Sequence, residues 1–168
     1  MTTSTAIIVL VLAGNAFFVA SEFAMVSARR DQLEPRASDG SKSAKYALKG
    51  IENVSVSLAA TQLGITACSL LIGAVGEPAI AHLIEMPLEA AGVPSALLHP
   101  IALAIALLIV TFLHMVLGEM VPKNIAIAVP SRVAQVLGPV LHGFVVVFRP
   151  TIWVMNETAN HLVRWLFK

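Results

Sequence analysis

The segment PIALAIALLIVTFLHMVLGEMVPK, Pro100 to Lys123, decides the fold class. It opens with about twenty apolar residues, the length an α-helix needs to cross the hydrocarbon core of a bilayer. At its end stand a carboxylate (Glu119), a helix-breaking proline (Pro122) and an ammonium (Lys123). An ionisable residue at a bilayer face is costly, and that points to function. Pro122 has no N–H, so the carbonyl four residues back, on Gly118, loses its helical donor. Gly118 has no side chain to cover that oxygen. A bare carbonyl beside a carboxylate, at the negative end of a helix dipole, suits a hard cation with oxygen ligands. The plainer reading is a helix stop, with Glu119 reaching water and Lys123 meeting lipid phosphates.

The rest of the composition agrees with a membrane chain. Of 168 residues, 57% are hydrophobic and 12% charged, against about 25% charged in soluble domains. Mean hydropathy is +0.83. The fold class is therefore all-α and integral to the membrane. The net charge of +1 gives no footprint for nucleic acid. The single Cys68 excludes a disulfide framework and a cysteine metal cluster. There is no HExxH, GxSxG or Walker loop, and Ser21 and Ser69 lack an obvious activating base, so the chain is not read as an enzyme.

Three spans are expected, at about 6–28, 54–76 and 100–121. The apolar start, Ala6 to Ala20, has no basic residue before it and runs on to Arg29, so it is a retained span and not a cleaved signal. Asp31 to Asn53 connects the first two spans. Pro35 and Ser38-Asp39-Gly40-Ser41 are expected to break it in two, and Lys42 to Glu52 reads as a short basic amphipathic helix. Arg29, Arg30, Arg36, Lys42, Lys45 and Lys49 are six of the eleven Lys and Arg. That excess places the connection in the cytoplasm and the N-terminus outside. Glu77-Pro78 is expected to stop the second span, leaving Ala79 to Gly92 as an amphipathic helix on the outer surface. Val133 to Phe148 is apolar but short, interrupted at Gly138-Pro139 and ended by Arg149-Pro150. Thr151 to Lys168 is amphipathic, with Trp153 and Trp165 as interface anchors and Arg164 and Lys168 on the polar side. Residues 131–168 are read as juxtamembrane helices, with the C-terminus cytoplasmic. The alternative is a fourth span, with the C-terminus outside.

Polar stripes run through the spans. Gln62, Thr66, Ser69, Gly73 and Gly76 share one face of the second span, either as a packing seam of small residues or as a lining of oxygen donors. In the first span Asn15, Glu22 and Arg29 share a face, with Ser21 beside Glu22. Glu22 either pairs with Arg29 or Lys123 to fix helix positions or meets an ion directly. Thr111, His114 and Gly118 share a face of the third span, where His114 reads as a packing residue. His82, His99, His142 and His161 make no pair at ligand spacing.

The run Asn15-Ala-Phe-Phe-Val-Ala-Ser21-Glu22-Phe-Ala24-Met-Val-Ser27-Ala-Arg29-Arg30, with Gly118-Glu119-Met-Val-Pro122-Lys123-Asn124, resembles the transmembrane domain of the CNNM/CorC magnesium transporters, bacterial CorC-like members included. The S-E-x-A and G-E-x-x-P-K elements each close a span, and the resemblance covers essentially the whole chain. It implies a multi-pass homodimer in the cell (inner) membrane, with a belt of juxtamembrane helices. It implies Mg²⁺ efflux, proposed to exchange for Na⁺, and cytosolic CBS domains that bind ATP–Mg²⁺. Those domains are not among these residues, so the chain is expected to be the membrane domain alone.

The resemblance assigns Ser21, Gly118 and Glu119 to the Mg²⁺ site, and Ser69 where animal members carry asparagine. Ser69 lies about 22 Å into its span and Ser21 about 12 Å from its own cytoplasmic end, so Thr66 is held in reserve. Asn15, Glu22, Thr66 and Lys123 are secondary candidates on the ion pathway. The rival readings are a Mg²⁺-sensing scaffold for another transporter and a passive cation channel.

Overall fold

The computed structural model describes residues 2–166, and all its regular structure is helical. Helix α1 (Thr2–Ser27) is followed by α2 (Arg30–Ser38) and α3 (Lys42–Glu52). Pro35 does not break the connection; it lies inside α2. An interior proline removes a single backbone bond. The break falls at Asp39-Gly40-Ser41, where Gly40 takes φ +95, a value that favours glycine. Ser41 then caps α3, its side chain accepting from the Ala44 N–H. Arg30 ties the two short helices together through Glu34 and Glu52. The Glu34 hydrogen bond, then the charges of Glu34 and Glu52, hold its guanidinium above its ordinary pKa.

Helix α4 (Val54–Leu71) passes through a π turn (Ile72–Gly76) into α5 (Glu77–Ala90). Helix α6 (Ser95–Leu113) likewise passes through a π turn (His114–Met120) into α7 (Val121–Ala128). Glu77-Pro78 therefore does not stop the second span, and Pro122 does not end the third. Each proline sits at the head of the α segment after a π turn. In the second π turn the register widens to i→i+5, as where the Val121 N–H reaches the Val116 carbonyl. The third span also begins earlier than Pro100, which lies inside α6.

The combined helix Val54–Ala90 has 37 residues. At 1.5 Å per residue it is about 55 Å long, well beyond a core of about 30 Å. The expected surface helix at 79–92 is instead its far end, folded against α6. Ala81, Ala102 and Ala106 are buried between the two, flanked by Ile80, Ile84 and Leu88. The apolar stripe of α5 finds the alanines of α6 to pack on. His99 joins Glu85 across this hairpin (Nδ1 to Oε1, 2.7 Å).

The core forms around α1, whose Ala20, Ala24 and Met25 meet Leu33 of α2, Ala47 of α3, Ala60 of α4 and Ala126 of α7. Helix α8 (Pro130–Val147) adds Ala134 and Leu141, and α9 (Arg149–Leu166) adds Ile152. Small residues let the backbones approach. Gly138-Pro139 does not interrupt α8. A Cβ at Gly138 would stand 3.1 Å from the Ala47 backbone nitrogen, so the glycine marks where α8 crosses α3. The start of α8 is bonded to the short helices: Ser131 donates to Gln32 (2.6 Å), and Arg36 donates to Gln135 (2.8 Å).

Among the described residues three helices are long and apolar enough to cross a membrane. Helices α8 and α9 pass the same test only as a pair bent by 83°. Trp153 and Trp165 are exposed on α9. Lys168 lies outside the described residues.

Candidate cation site

The site is built where α1 crosses the second π turn. Gly118 is buried there. A Cβ would come within 2.8 Å of the His114 ring and 3.1 Å of both Asn15 Nδ2 and Leu12 Cδ1, so it would need the His114 ring to shift. Its carbonyl is not bare as expected. Asn15 Nδ2 donates to it at 2.9 Å. The amide takes the place of the helical donor that Pro122 cannot supply.

That bond leaves the other end of the amide unserved. Asn15 Oδ1 is buried without a hydrogen-bond partner, and so is Ser21 Oγ. Both residues are fully buried. Unpartnered buried polar atoms are rare, because each forgoes its bonds to water. The two residues are six apart on α1, about 9 Å along its axis. No hydrogen bond joins Ser21 Oγ to Ser69, Gly118 or Glu119.

The remaining candidates gather around His114. Its Nε2 lies 3.5 Å from Ser69 Oγ and 3.8 Å from Glu119 Oε1. The histidine thus stands between two predicted ligands. Ideal α geometry sets residues five apart on different faces, whereas the i→i+5 turn stacks them. The signal in the sequence is a proline just past His114 to Met120, a combination that permits such a turn.

Glu119 is less enclosed than expected, with its side chain 48% exposed. The second-span stripe divides: Gln62 and Thr66 are exposed, while Ser57, Ala60, Thr61 and Gly64 form the buried face. Glu22 meets neither Arg29 nor Lys123; it accepts from Gln62 Nε2 at 2.9 Å. Arg29 pairs with Asp31, and Lys123 rests over the Phe23 ring, 4.6 Å from its centroid.

Among the described residues no three His, Cys, Asp or Glu side chains gather as a metal cage. The donors on hand are an amide, two hydroxyls, a backbone carbonyl and a single carboxylate. Such a set suits a hard cation held briefly, because few charges bind it weakly enough to let it go.

A family model for the cyclin M transmembrane N-terminal domain matches residues 6–167. An uncharacterized protein of Mycobacterium tuberculosis (strain CDC 1551 / Oshkosh) is 46% identical over 155 residues, covering 92% of this chain and 44% of the relative. The UPF0053 protein YhdT of Bacillus subtilis is 37% identical over 159 residues, covering 95% of this chain and 34% of the relative. A second Bacillus subtilis protein, UPF0053 protein YhdP, is 35% identical over 158 residues, with 94% and 36% covered. The chain spans less than half the length of these relatives.

Proposed function

The chain belongs to the cyclin M transmembrane-domain family, and on that premise we propose that it carries Mg²⁺ out across the cell membrane in exchange for Na⁺. The observation that supports this most is the pair of buried oxygens without partners, Asn15 Oδ1 and Ser21 Oγ, on the helix that faces Gly118.

In this reading Ser21, Ser69 and Glu119 supply side-chain oxygens and Gly118 supplies its carbonyl. Mg²⁺ takes about six oxygens near 2.1 Å and sheds water reluctantly, so waters complete the shell. Asn15 donates to the Gly118 carbonyl. Turning its amide releases that carbonyl and offers Oδ1 in place of Nδ2. His114 separates Ser69 from Glu119, so its ring swings aside as the two close on the ion. A return of the π turn to α register rotates α7 by about 100°. That rotation would open the site to one side or the other, in the manner of alternating access. Glu22, Asn15 and Thr66 are candidates for Na⁺, and Lys123 stands at the mouth.

The topology belongs to the same proposal. The N-terminus is outside, three spans cross, and α8 and α9 lie along the cytoplasmic face. The bonds from α8 to Gln32 and Arg36 support that placement, since α2 and α3 carry the basic excess. The working unit is a homodimer, and cytosolic CBS domains belong to the full-length protein.

The test is Mg²⁺ flux into and out of proteoliposomes, with and without a Na⁺ gradient. Flux that follows the gradient and falls in both Glu119→Gln and Ser21→Ala is the expected result. Mg²⁺ affinity unchanged in both variants would sink the site, and flux indifferent to Na⁺ would sink the exchange.

A further inference from the structure

The bend between α8 and α9 leaves a wedge on the basic face of the domain. A cavity of about 620 Å³ fills it, bounded by α3, the first turn of α4, and the two arms of the bend. This volume is that of a small-molecule site. Its inner wall is apolar, with Met25, Leu141 and Ile152 almost fully buried. Its rim carries Lys49 and Arg149, both exposed and neither in an ion pair among the described residues. Glu157 is the single carboxylate on the lining, so two cations less one anion leave a charge of +1 with His142 neutral. Two aromatic side chains complete the rim: Tyr46, whose ring lies 4.9 Å from that of His142, and Trp153, which is 65% exposed. Such amphipathic rings belong at the level of lipid headgroups.

A free anion would use the cations and leave the apolar wall idle. An uncharged hydrocarbon would use the wall and leave two cations idle. An amphiphile with a phosphate head uses both, and basic pockets between membrane helices recognise such heads. We propose that this cavity is a binding site for one anionic phospholipid. The phosphate sits between Lys49 and Arg149, and the upper acyl chain lies along Met25, Leu141 and Ile152. Bound there, the lipid bridges α3 and α9 to the start of α4, the helix that carries Ser69.

Trp153 and Trp165 are the only tryptophans, so Trp165→Phe leaves a single reporter at the cavity. That protein goes into phosphatidylcholine vesicles with a small fraction of brominated phosphatidylglycerol or of brominated phosphatidylcholine with the same chains. Per mole, the anionic lipid is expected to quench Trp153 roughly fivefold more, about the gain from one basic contact. Lys49→Gln with Arg149→Gln abolishes the excess. Lys42→Gln with Lys45→Gln makes the same change of charge away from the cavity and keeps the excess. Lys49→Arg with Arg149→Lys keeps it too, and shows that the test stays readable if the neutral pair misfolds.

Equal quenching by the two lipids overturns the proposal. So does an excess that Lys42→Gln with Lys45→Gln removes equally, since that is a diffuse field and not a site. An excess displaced by inorganic phosphate overturns it as well, because the head alone would then suffice. No quenching by either lipid, as when a second copy of the chain covers the cavity, has the same force.

Discussion

The two π turns use one device and end in different places. Each interrupts a long apolar helix, each contains a buried glycine, and each is followed by a proline at the head of the next α segment. At the first, Gly76 looks onto Val110, and a Cβ would stand at an ordinary 3.5 Å from it. At the second, Gly118 lies against His114, Asn15 and Leu12, where a Cβ would stand 2.8 Å from the His114 ring, and its carbonyl is held by an amide from another helix. The turns differ in what meets them: at the second, α1 brings an amide to the backbone, and the candidate site lies there.

The largest effect expected from this contrast is in transport. Each turn has a carboxylate, Glu77 just after the first and Glu119 within the second. Glu119→Gln should lower Mg²⁺ affinity by tenfold or more, since contacts to a charged group are worth about 1.5–3 kcal/mol and roughly 1.4 kcal/mol is tenfold. Glu77→Gln should leave affinity and flux near the parent value. Isothermal titration of the two purified variants separates them, and equal losses would erase the distinction between the turns.

Packing gives the next effect. Gly118→Ala drives a methyl into three neighbours and should cost about 1–3 kcal/mol. Gly76→Ala should stay within about 0.5 kcal/mol. Thermal unfolding in detergent reads the difference as several degrees, about 2–4 °C per kcal/mol at this chain length. A third effect isolates the amide. Asn15→Ala takes the side-chain donor from the buried Gly118 carbonyl and removes the unpartnered Oδ1 with it, so it should cost about 1 kcal/mol. Combined with Gly118→Ala, it should cost less than the two changes summed, because they share one contact. Strict additivity would show that the Asn15 bond does not hold the turn.

The same contrast explains what the sequence disclosed. The three apolar runs and the Lys42–Glu52 helix are legible, because length, hydropathy and capping are local properties. Prolines mislead. Pro35, Pro78, Pro100, Pro122 and Pro139 all lie inside or at the head of helices. At Pro78 and Pro122 a broken span would have no water to satisfy its backbone, and the chain stays helical there through a local change of register. That change also brings His114 to within 3.8 Å of Glu119, five residues on, an approach that α spacing does not suggest. The packing of α5 on α6 was hidden for another reason: periodicity gives an apolar stripe but not the surface that covers it.

The smallest expected effect is the most discriminating, because it carries opposite signs in two measurements. Ser21 Oγ is buried and has no hydrogen-bond partner within the chain. Ser21→Ala removes that oxygen and little else. Without Mg²⁺ it should leave stability unchanged or raise it by on the order of 1 kcal/mol. With Mg²⁺ it should lose part of the stabilisation that the ion confers, since a ligand bound to the folded state stabilises by RT ln(1 + [L]/Kd). The two melting curves should therefore cross as Mg²⁺ is added, the variant ahead at zero and behind at saturation. A hydroxyl that is merely buried would give a variant ahead at every concentration. One that bonds in the ion-free protein would give a variant behind from the start. Only a hydroxyl held open for a cation makes the order reverse.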